Sequence, residues 1–293
     1  MDLHQLKVFY AAVKSGGFTK AGEDLHLSQS TVSQHIKLLE DEVGSPLFLR
    51  VGKRVLVTDA GRVLLQYAER IFRDVRNAEM AMSEISALKR GTVRLGVGPT
   101  TLTYRLPLVL AEYTRRFPDI ELVVLAGTTE FLLESLREHQ LDLAVIMSTA
   151  PPAGLTVTPL GMEELVVVLN RTHPLAKKRS LEPADLETLR FILYGKQSAM
   201  QNLIDRYFES LGVSPRISME VENNEAIKSL VRVGLGASIL PLCAVPGEKD
   251  SHLKVLRVKG KPLMRQLCLA SLDAEVLPNA IRELSEALAG ALR

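Results

Sequence analysis

The chain has little of what several protein classes depend on. It holds two cysteines, no tryptophan and 5% aromatic residues. Cys243 and Cys268 both lie in apolar sequence, which favours buried thiols over a disulfide or a metal site. No window approaches the ~18 uninterrupted apolar residues of a membrane span, and the first residues lack the basic and apolar regions of a secretory signal. These absences predict a cytoplasmic protein that makes no membrane contact.

The chain also has no large excess of positive or negative charge. The net charge is +2, from 36 lysine and arginine residues against 34 aspartate and glutamate residues. This balance excludes a protein that binds nucleic acid through bulk charge, so any affinity for DNA must come from the placement of individual cations. With 293 residues, 46% of them apolar, the chain is long enough for more than one domain.

Residues 18–43 carry the most informative pattern, which predicts two short helices joined by a tight turn. Thr19 can cap the first helix and Ser28 the second. The second helix has one apolar stripe at helical spacing, formed by Val32, Ile36, Leu39 and Val43. Its polar side chains fall off this stripe, and they are Gln29, Ser30, Thr31, Ser33, Gln34 and Lys37.

These off-stripe side chains are of the types that read DNA. Hydroxyl and amide groups bond to base edges, and the Lys37 ammonium can reach a phosphate. All six lie towards the N-terminus of their helix, where the recognition helix of a helix-turn-helix contacts bases. Periodicity alone leaves an alternative open, which is an ordinary solvated helix face.

The residues that follow predict a hairpin with a basic tip. Gly44 ends the helix, and residues 55–57 are typical of a short strand. The cations Arg50, Lys53 and Arg54 surround a glycine between the two arms. A wing of this kind fits beside a phosphate backbone, where each neutralised phosphate releases a counterion. By itself the pattern also fits a solvated turn.

This part of the chain resembles the winged helix-turn-helix of LysR-type transcriptional regulators. The resemblance rests on an ordered series of segments at residues 3–9, 17–21, 25–33, 38–40, 44, 46–50 and 56–61. It implies a sequence-specific regulator of double-stranded DNA, with contacts from Thr19, the six helix residues and the three wing cations named above. It also implies a homodimer that pairs into a tetramer, a small-molecule effector, and RNA polymerase as a further partner.

A long helix is predicted after the wing. Thr58 can cap it, and the pattern continues to about Lys89, roughly 45 Å at 1.5 Å per residue. Its apolar residues alternate in steps of four and three and form a heptad seam: Leu64, Ala68, Ile71, Val75, Ala78, Met82 and Ile85. Such a seam needs a partner, and we expect a second copy of the chain. The alternative is a helix that lies on its own C-terminal domain.

From residue 91 onward, short apolar runs alternate with amphipathic stretches, which is typical of parallel βαβ units. Strands are predicted at 93–97, 120–125, 141–147, 165–169, 191–194, 217–221 and 267–270. Helices are predicted at 102–117, 131–138, 199–211, 225–233 and 279–292. The arrangement resembles the two-lobed, periplasmic-binding-protein-like effector domain of the LysR family.

Three domains are therefore predicted in an α/β protein. A winged helix-turn-helix occupies residues 1–58, a linker and dimerisation helix 59–90, and an effector domain 91–293. Lobe I of the effector domain is expected at 91–161 and 267–293, and lobe II at 162–266. The crossings near Leu160 and Arg265 would then act as hinges.

Three short segments are expected to face the cleft between the lobes. Thr100 and Thr101 follow the first strand, Thr128 and Thr129 the second, and Ser198 opens a helix of lobe II. Hydroxyls and free N–H groups at helix N-termini bind anions, and ligands bind at strand C-terminal ends in such sheets. We expect these residues to hold a small carboxylate or other oxyanion. The alternative is plain N-capping.

An enzyme and a transport-type binding protein are the competing classes. Gly96 and Gly98 lack the third glycine of a dinucleotide motif, and Gly234 and Gly236 follow a helix. No histidine has metal-ligand spacing, and no Gly-x-Ser-x-Gly elbow occurs. We therefore expect neither an enzyme nor a cofactor. The N-terminal helices argue against a transport-type binding protein.

Overall fold

The computed structural model describes residues 1–51, 54–85, 91–147, 154–196, 198–245, 252–272 and 277–292. The chain divides into two compact units, residues 1–85 with 138–140, and the rest of the chain from residue 86 onward. Among the described residues, no helix is long and apolar enough to cross a membrane.

The first unit consists of three short helices, a hairpin and a long helix. Its elements are α1 Leu3–Lys14, α2 Phe18–Leu25, α3 Gln29–Val43, β1 Phe48–Val51, β2 Arg54–Val57 and α4 Asp59–Ile85. β1 and β2 pair antiparallel, with Val51 opposite Arg54 at the tip. The core contains buried residues from every helix: Leu6, Phe9, Ala21, Val32, Ile36, Leu39, Leu47 and Ala68. The predicted winged helix-turn-helix is thus confirmed.

Local capping positions α3. Ser28 Oγ accepts a hydrogen bond from the Thr31 N–H at 3.1 Å, so Ser28 is the N-cap that the sequence predicts. Gly44 ends the helix in the left-handed conformation, with φ of 72°, which a glycine adopts at little cost.

Two expectations for these helices are wrong. Gly17 is the N-cap of α2 in place of Thr19, because the helix already begins at Phe18 and Thr19 lies inside its first turn. The buried stripe of α3 ends at Leu39, and Val43 is 41% exposed. The chain turns away after Val43 and returns to fill the core with Leu47, which is fully buried.

The start of α4 is fixed against the hairpin. Thr58 Oγ1 accepts from the Gly61 N–H at 2.9 Å and donates to the Pro46 carbonyl at 2.8 Å. A Cβ atom on Gly61 would lie 2.4 Å from the Leu47 carbonyl oxygen, so this close approach requires glycine. The predicted cap at Thr58 is therefore confirmed.

The heptad seam of α4 is only partly available to a partner. Leu64, Ala68 and Ile71 pack into the core of their own unit, which corrects the expectation that the whole seam faces a second chain. The large apolar side chains that α4 leaves exposed in its described part are Val63, Tyr67 and Met82, at 55%, 59% and 61%. The predicted end of the helix near Lys89 lies outside the described residues.

The second unit is built on a mixed seven-stranded sheet. Its strands are β3 Gly91–Val97, β4 Ile120–Ala126, β5 Leu143–Met147, β6 Thr156–Asn170, β9 Ser238–Pro241, β10 Leu253–Leu256 and β11 Leu263–Ser271. They lie in the order β10-β6-β11-β5-β3-β4, with β9 also against β6. β3 is parallel to β4 and β5, whereas β11 is antiparallel to β5 and β6. Strands β7 Arg190–Leu193 and β8 Arg216–Glu220 form a separate parallel pair.

Helices and 3-10 turns connect these strands. The helices are α5 Pro99–Tyr104, α6 Pro107–Arg116, α7 Thr129–Arg137, α8 Pro183–Thr188, α9 Ala199–Leu211, α10 Asn224–Arg232 and α11 Asn279–Leu292. The 3-10 turns are Pro174–Lys177 and Leu242–Ala244. The α/β class of this domain is as the sequence predicts.

β6 and β11 run through both of the predicted lobes. The first half of β6 pairs with β11 beside β5, and its second half pairs with β9 and β10. The register between β6 and β11 shifts between Leu267 and Cys268, where it skips Leu160. This irregularity lies at the predicted crossing between the lobes.

Two element predictions in this unit need correction. The helix predicted at 102–117 is two helices, because Pro107 lacks an N–H and restricts the residue before it. The strand predicted at 165–169 is only the second half of β6. Pro159 and Gly161 interrupt the alternation that would indicate the first half. β10 and α8 are not indicated by the sequence pattern either.

Candidate nucleic-acid interface and ligand cleft

The predicted base-reading side chains lie on the open face of α3. Gln29, Ser30, Gln34 and Lys37 are exposed, while Thr31 and Ser33 are half-buried. The face opposite them carries Val32, Ile36 and Leu39 into the core. Sequence reasoning therefore predicts correctly which side of the helix faces outward.

The six side chains are not equally available. Ser30 and Thr31 lie within hydrogen-bond distance of the Ser28 hydroxyl, at 2.7 and 2.8 Å. Within the described part of the chain, no hydrogen bond or ion pair engages Gln29, Ser33, Gln34 or Lys37. The second group is free to bond a partner, whereas the first group also shapes the helix start.

The remaining predicted DNA contacts lie outside α3. Thr19 is exposed in the first turn of α2. Arg50 and Arg54 belong to the two strands of the hairpin, at positions opposite Val55 and Val51 respectively. Lys53 lies outside the described residues.

An ion pair with one buried partner joins α1 to α4 in this unit, and sequence reasoning does not find it. Lys14 Nζ lies 2.8 Å from Glu69 Oε1, and Glu69 is almost fully buried. Partial burial alone lowers the pKa of Lys14, but the Glu69 carboxylate outweighs it and raises that pKa. The pair links the last turn of α1 to the middle of α4.

The second unit contains a cleft of about 580 Å³. All five predicted effector residues line it, since Thr100 and Thr101 lie in α5, Thr128 and Thr129 at the start of α7, and Ser198 before α9. Other residues that line it include Glu130, Tyr194, Glu222 and Arg265. The structure thus brings together five predicted side chains that are up to 98 positions apart in sequence, from Thr100 to Ser198.

Several of these hydroxyls already have local partners. Thr128 Oγ1 accepts from the Phe131 N–H at 3.3 Å, and Ser198 Oγ accepts from the Met200 N–H at 3.2 Å. Both are therefore helix caps, which is the alternative reading of their role. A capping hydroxyl keeps its own proton, so each still has a donor for a second partner.

One chain of hydrogen bonds crosses the cleft, from predicted lobe II to predicted lobe I. The Tyr194 hydroxyl bonds Asn224 Oδ1 at 2.7 Å, and Asn224 Nδ2 bonds Thr100 Oγ1 at 2.9 Å. Tyr194 and Asn224 are both buried, and burial raises the pKa of Tyr194, which keeps the phenol protonated. Sequence reasoning misses both residues, because neither belongs to a motif.

The floor of the cleft carries a buried ion pair. Arg265 Nε donates to Glu163 Oε2 at 2.5 Å, and each residue is 5% exposed. Arg105 of lobe I lies 3.6 Å from the other oxygen of Glu163. Burial and the same carboxylate raise the pKa of the Cys243 thiol to about 12, which opposes formation of a thiolate there.

A second polar contact joins α5 to α10 beside the cleft. The Tyr104 hydroxyl donates to Glu225 Oε1 at 2.5 Å, and Lys228 Nζ donates to the same oxygen at 2.8 Å. Lys228 also donates to the Ala244 carbonyl at 2.8 Å and lies over the Tyr104 ring. The described residues contain no cluster of three metal-ligating side chains.

Comparisons with known proteins agree with this arrangement. A family model described as the LysR substrate binding domain matches residues 86–293, and one described as bacterial regulatory helix-turn-helix protein, lysR family, matches residues 3–62. The chain is 37% identical over 281 residues to the HTH-type transcriptional regulator CbbR of Xanthobacter flavus, covering 94% of this chain and 84% of that protein.

Two further similarities concern a regulated operon and a ligand. The chain is 34% identical over 269 residues to the RuBisCO operon transcriptional regulator of Allochromatium vinosum, covering 91% of this chain and 88% of that protein. It also matches the CcmR regulatory domain of Synechocystis PCC6803 in complex with 2-PG. That match has a TM-score of 0.63 and 26% identity, and covers 69% of this chain and 97% of the other.

Proposed function

Because the chain belongs to the LysR family of transcriptional regulators, we propose that it binds its operators as a homodimer, or a dimer of dimers, switched by a small organic anion. The observation that carries the proposal is the cleft in which five hydroxyl side chains converge with the N-termini of α7 and α9. Helix N-termini present free N–H groups and positive partial charge, which favour an anion.

The first unit supports the DNA half of the proposal. α3 presents free amide, hydroxyl and ammonium groups on one face, and the hairpin places Arg50 and Arg54 on its two arms. In this proposal α3 lies in a major groove and the wing lies along the flanking backbone. RNA polymerase is the partner that such a regulator meets at a promoter.

The described part of α4 supports pairing of two chains. It leaves Val63, Tyr67 and Met82 exposed on a helix of 27 residues. Exposed apolar side chains on a long helix favour a second helix as partner. Pairing would present two recognition helices to one duplex, so the local cations act twice despite the small net charge.

Relatives favour a class of effector and of target gene. The CcmR domain binds 2-PG, a phosphorylated organic acid, and a relative at 34% identity is named for the RuBisCO operon. In the cleft, Glu130 and Glu222 are exposed to solvent, which screens their repulsion of an anion, and the charge of the buried Arg265 is balanced by Glu163. We therefore extend the proposal to a phosphorylated acid as effector and carbon-fixation genes as targets.

The switch follows from linkage. An effector that contacts both lobes stabilises their closed arrangement, and it shifts the DNA-binding equilibrium only by the difference between its affinities for the two arrangements. β6 and β11 carry the chain between the lobes, so a change in the angle between lobes concentrates at Leu160 and Leu267, where the register shifts.

Two measurements test this function. Sequencing of genomic fragments bound by the purified chain should return discrete operators, and Arg50→Ala and Arg54→Ala should each lower the salt slope of binding by about 1. Isothermal titration should show that 2-PG binds more tightly than inorganic phosphate, with glycerol as the uncharged control. A chain that ignores every duplex, or that prefers glycerol to 2-PG, would contradict the corresponding half.

A further inference from the structure

In the hydrogen-bond chain from Tyr194 through Asn224 to Thr100, the chemistry of the neighbouring groups determines which group donates and which accepts. An arginine guanidinium only donates hydrogen bonds, and its positive charge attracts lone pairs and repels protons. Arg265 and Tyr194 line the same cleft, and the charge of Arg265 acts on the Tyr194 phenol, where it opposes the effect of burial on the pKa. The Tyr194 O–H donates to Asn224 Oδ1 at 2.7 Å, an orientation that the positive charge of Arg265 favours.

The amide of Asn224 is oriented by that proton. A buried amide must pair both of its ends, and the end that faces a donating hydroxyl is the carbonyl oxygen. Asn224 Oδ1 accepts from Tyr194 at 2.7 Å, so Nδ2 is left to face Thr100 Oγ1, 2.9 Å away. Asn224 is only 9% exposed, which leaves little water to substitute for either partner.

Thr100 then has one proton to place. Its oxygen accepts from Asn224, so its own O–H must donate elsewhere. Thr103 sends its proton one turn back along the helix, to the Pro99 carbonyl at 2.9 Å. Thr100 is the second residue of α5 and has no carbonyl of that helix one turn before it. The open direction for its proton is the cleft, which Thr100 lines.

We infer that Asn224 is a specificity-determining residue. Its side-chain NH₂ group donates to Thr100, which leaves the Thr100 hydroxyl to donate towards the effector. The inference rests on the proposed function, in which Thr100 contacts an oxyanion. The reversed amide would make Thr100 donate to Asn224 Oδ1 and offer only lone pairs to the cleft. That arrangement would favour effectors with donor groups, so one side-chain amide sets the polarity of the site.

Replacement of the amide by a carboxylate separates the two arrangements. Asn224→Asp keeps the shape of the side chain but can only accept, so the Thr100 proton turns away from the cleft. We expect binding of 2-PG to weaken by at least about tenfold, since a hydrogen bond to a charged group is lost. Asn223→Asp is the matched control, because it adds the same charge one residue away. Its side chain caps α10 through the Glu225 and Ala226 N–H groups.

A double-mutant cycle distinguishes this role from a merely structural one. Thr100→Val removes the hydroxyl and should weaken 2-PG binding in the wild-type background but add little in the Asn224→Asp background. Asn223→Asp should leave the effect of Thr100→Val unchanged. If Asn224→Asp binds 2-PG as tightly as Asn223→Asp does, or if the two substitutions are additive, the inference is wrong while the proposed function stands.

A measurement without ligand tests the orientation of the Asn224 amide even if the wild-type protein does not bind 2-PG. The side-chain NH₂ signals of Asn224 in a proton–nitrogen NMR spectrum report what Nδ2 donates to. Under the inference, Thr100→Val removes that acceptor, so the NH₂ signals shift and exchange faster with water. Unchanged signals would mean that the amide is reversed, and they would overturn the inference whatever the effector is. Absence of 2-PG binding with shifted signals would instead contradict the proposed effector class alone.

Discussion

The two candidate sites of this protein hold their polar side chains in opposite ways. On α3, the side chains of Ser33, Gln34 and Lys37 are exposed or half-buried, and no partner among the described residues engages them. In the cleft, Thr100, Thr128 and Ser198 each already bond a neighbour. A free polar group can orient its hydrogen bond towards a partner independently of the others. An engaged group can offer a partner only the donor or acceptor that its existing hydrogen bond does not use.

This difference has a consequence for mutations. On α3 a substitution should affect the contact that it removes and little else. In the cleft, a substitution at a residue that touches no ligand should still change binding, because it redirects a hydroxyl that does. Four measurements test this contrast.

The largest effect is expected at the floor of the cleft. Glu163→Gln leaves Arg265 without its carboxylate in a buried position, and loss of one partner from a buried pair costs about 3–5 kcal/mol. Glu164→Gln is the matched control, since Glu164 pairs with Arg257 at the surface and its loss should cost below about 1 kcal/mol. Urea denaturation of both variants gives the comparison. Equal losses would show that burial does not set the strength of these pairs.

The next effect is expected on the recognition helix. Gln34→Ala should weaken binding to the specific operator by about 1–3 kcal/mol and barely change binding to unrelated DNA. The reason is that Gln34 can bond a base edge with both the C=O and the NH₂ of its side-chain amide. Its stability should not change, since the side chain is exposed and unengaged. Competition titrations with the operator and a scrambled duplex measure both affinities. Equal losses on the two duplexes would mean that Gln34 reads no base.

A smaller effect separates capping from ligand binding in the cleft. Thr128→Val removes the hydroxyl that accepts from the Phe131 N–H, which should cost about 1 kcal/mol of stability. If Thr128 also donates to the effector, 2-PG binding weakens as well. Thr128→Ser keeps the hydroxyl and should retain both properties. Lost stability with unchanged 2-PG affinity would reduce Thr128 to a cap.

The contrast between the sites also explains what the sequence reveals. Ser28, Gly44 and Thr58 act on residues within a few positions, so capping rules predict α3, its end and the start of α4. The outward face of α3 follows from the spacing of its apolar residues. Local rules and the family resemblance therefore predict the elements of the DNA-binding unit, but not the Lys14–Glu69 pair or the packing of α4 against its own core.

The cleft shows where local rules end. Thr100, Thr128 and Ser198 follow strand–helix junctions, which the pattern locates. Asn224 bonds Thr100 across 124 positions, and Glu163 bonds Arg265 across 102, distances over which no periodicity in the sequence carries information. These residues become visible only when the sheet brings β6, β11 and α10 together. The break between α5 and α6 depends on a local residue, Pro107, so the sequence alone would have been enough to predict it.

The smallest effect is expected at the contact between Tyr104, Glu225 and Lys228, because more than half of the Glu225 side chain is exposed. Hydrogen bonds from Lys228 and Tyr104 lower the pKa of Glu225 below its ordinary value of 4.5. A lowered folded-state pKa means that this contact stabilises the protein above that value and ceases to do so as the pH falls through the folded-state pKa. Glu225→Gln should therefore lower stability by less than about 1 kcal/mol at pH 7. The difference in Tm from wild type should shrink as the pH falls through the folded-state pKa of Glu225, where the carboxylate becomes protonated. A difference in Tm that does not change as the pH falls would mean that shape, and not charge, holds α5 against α10, and this contact would then resemble the hydroxyl network of the cleft.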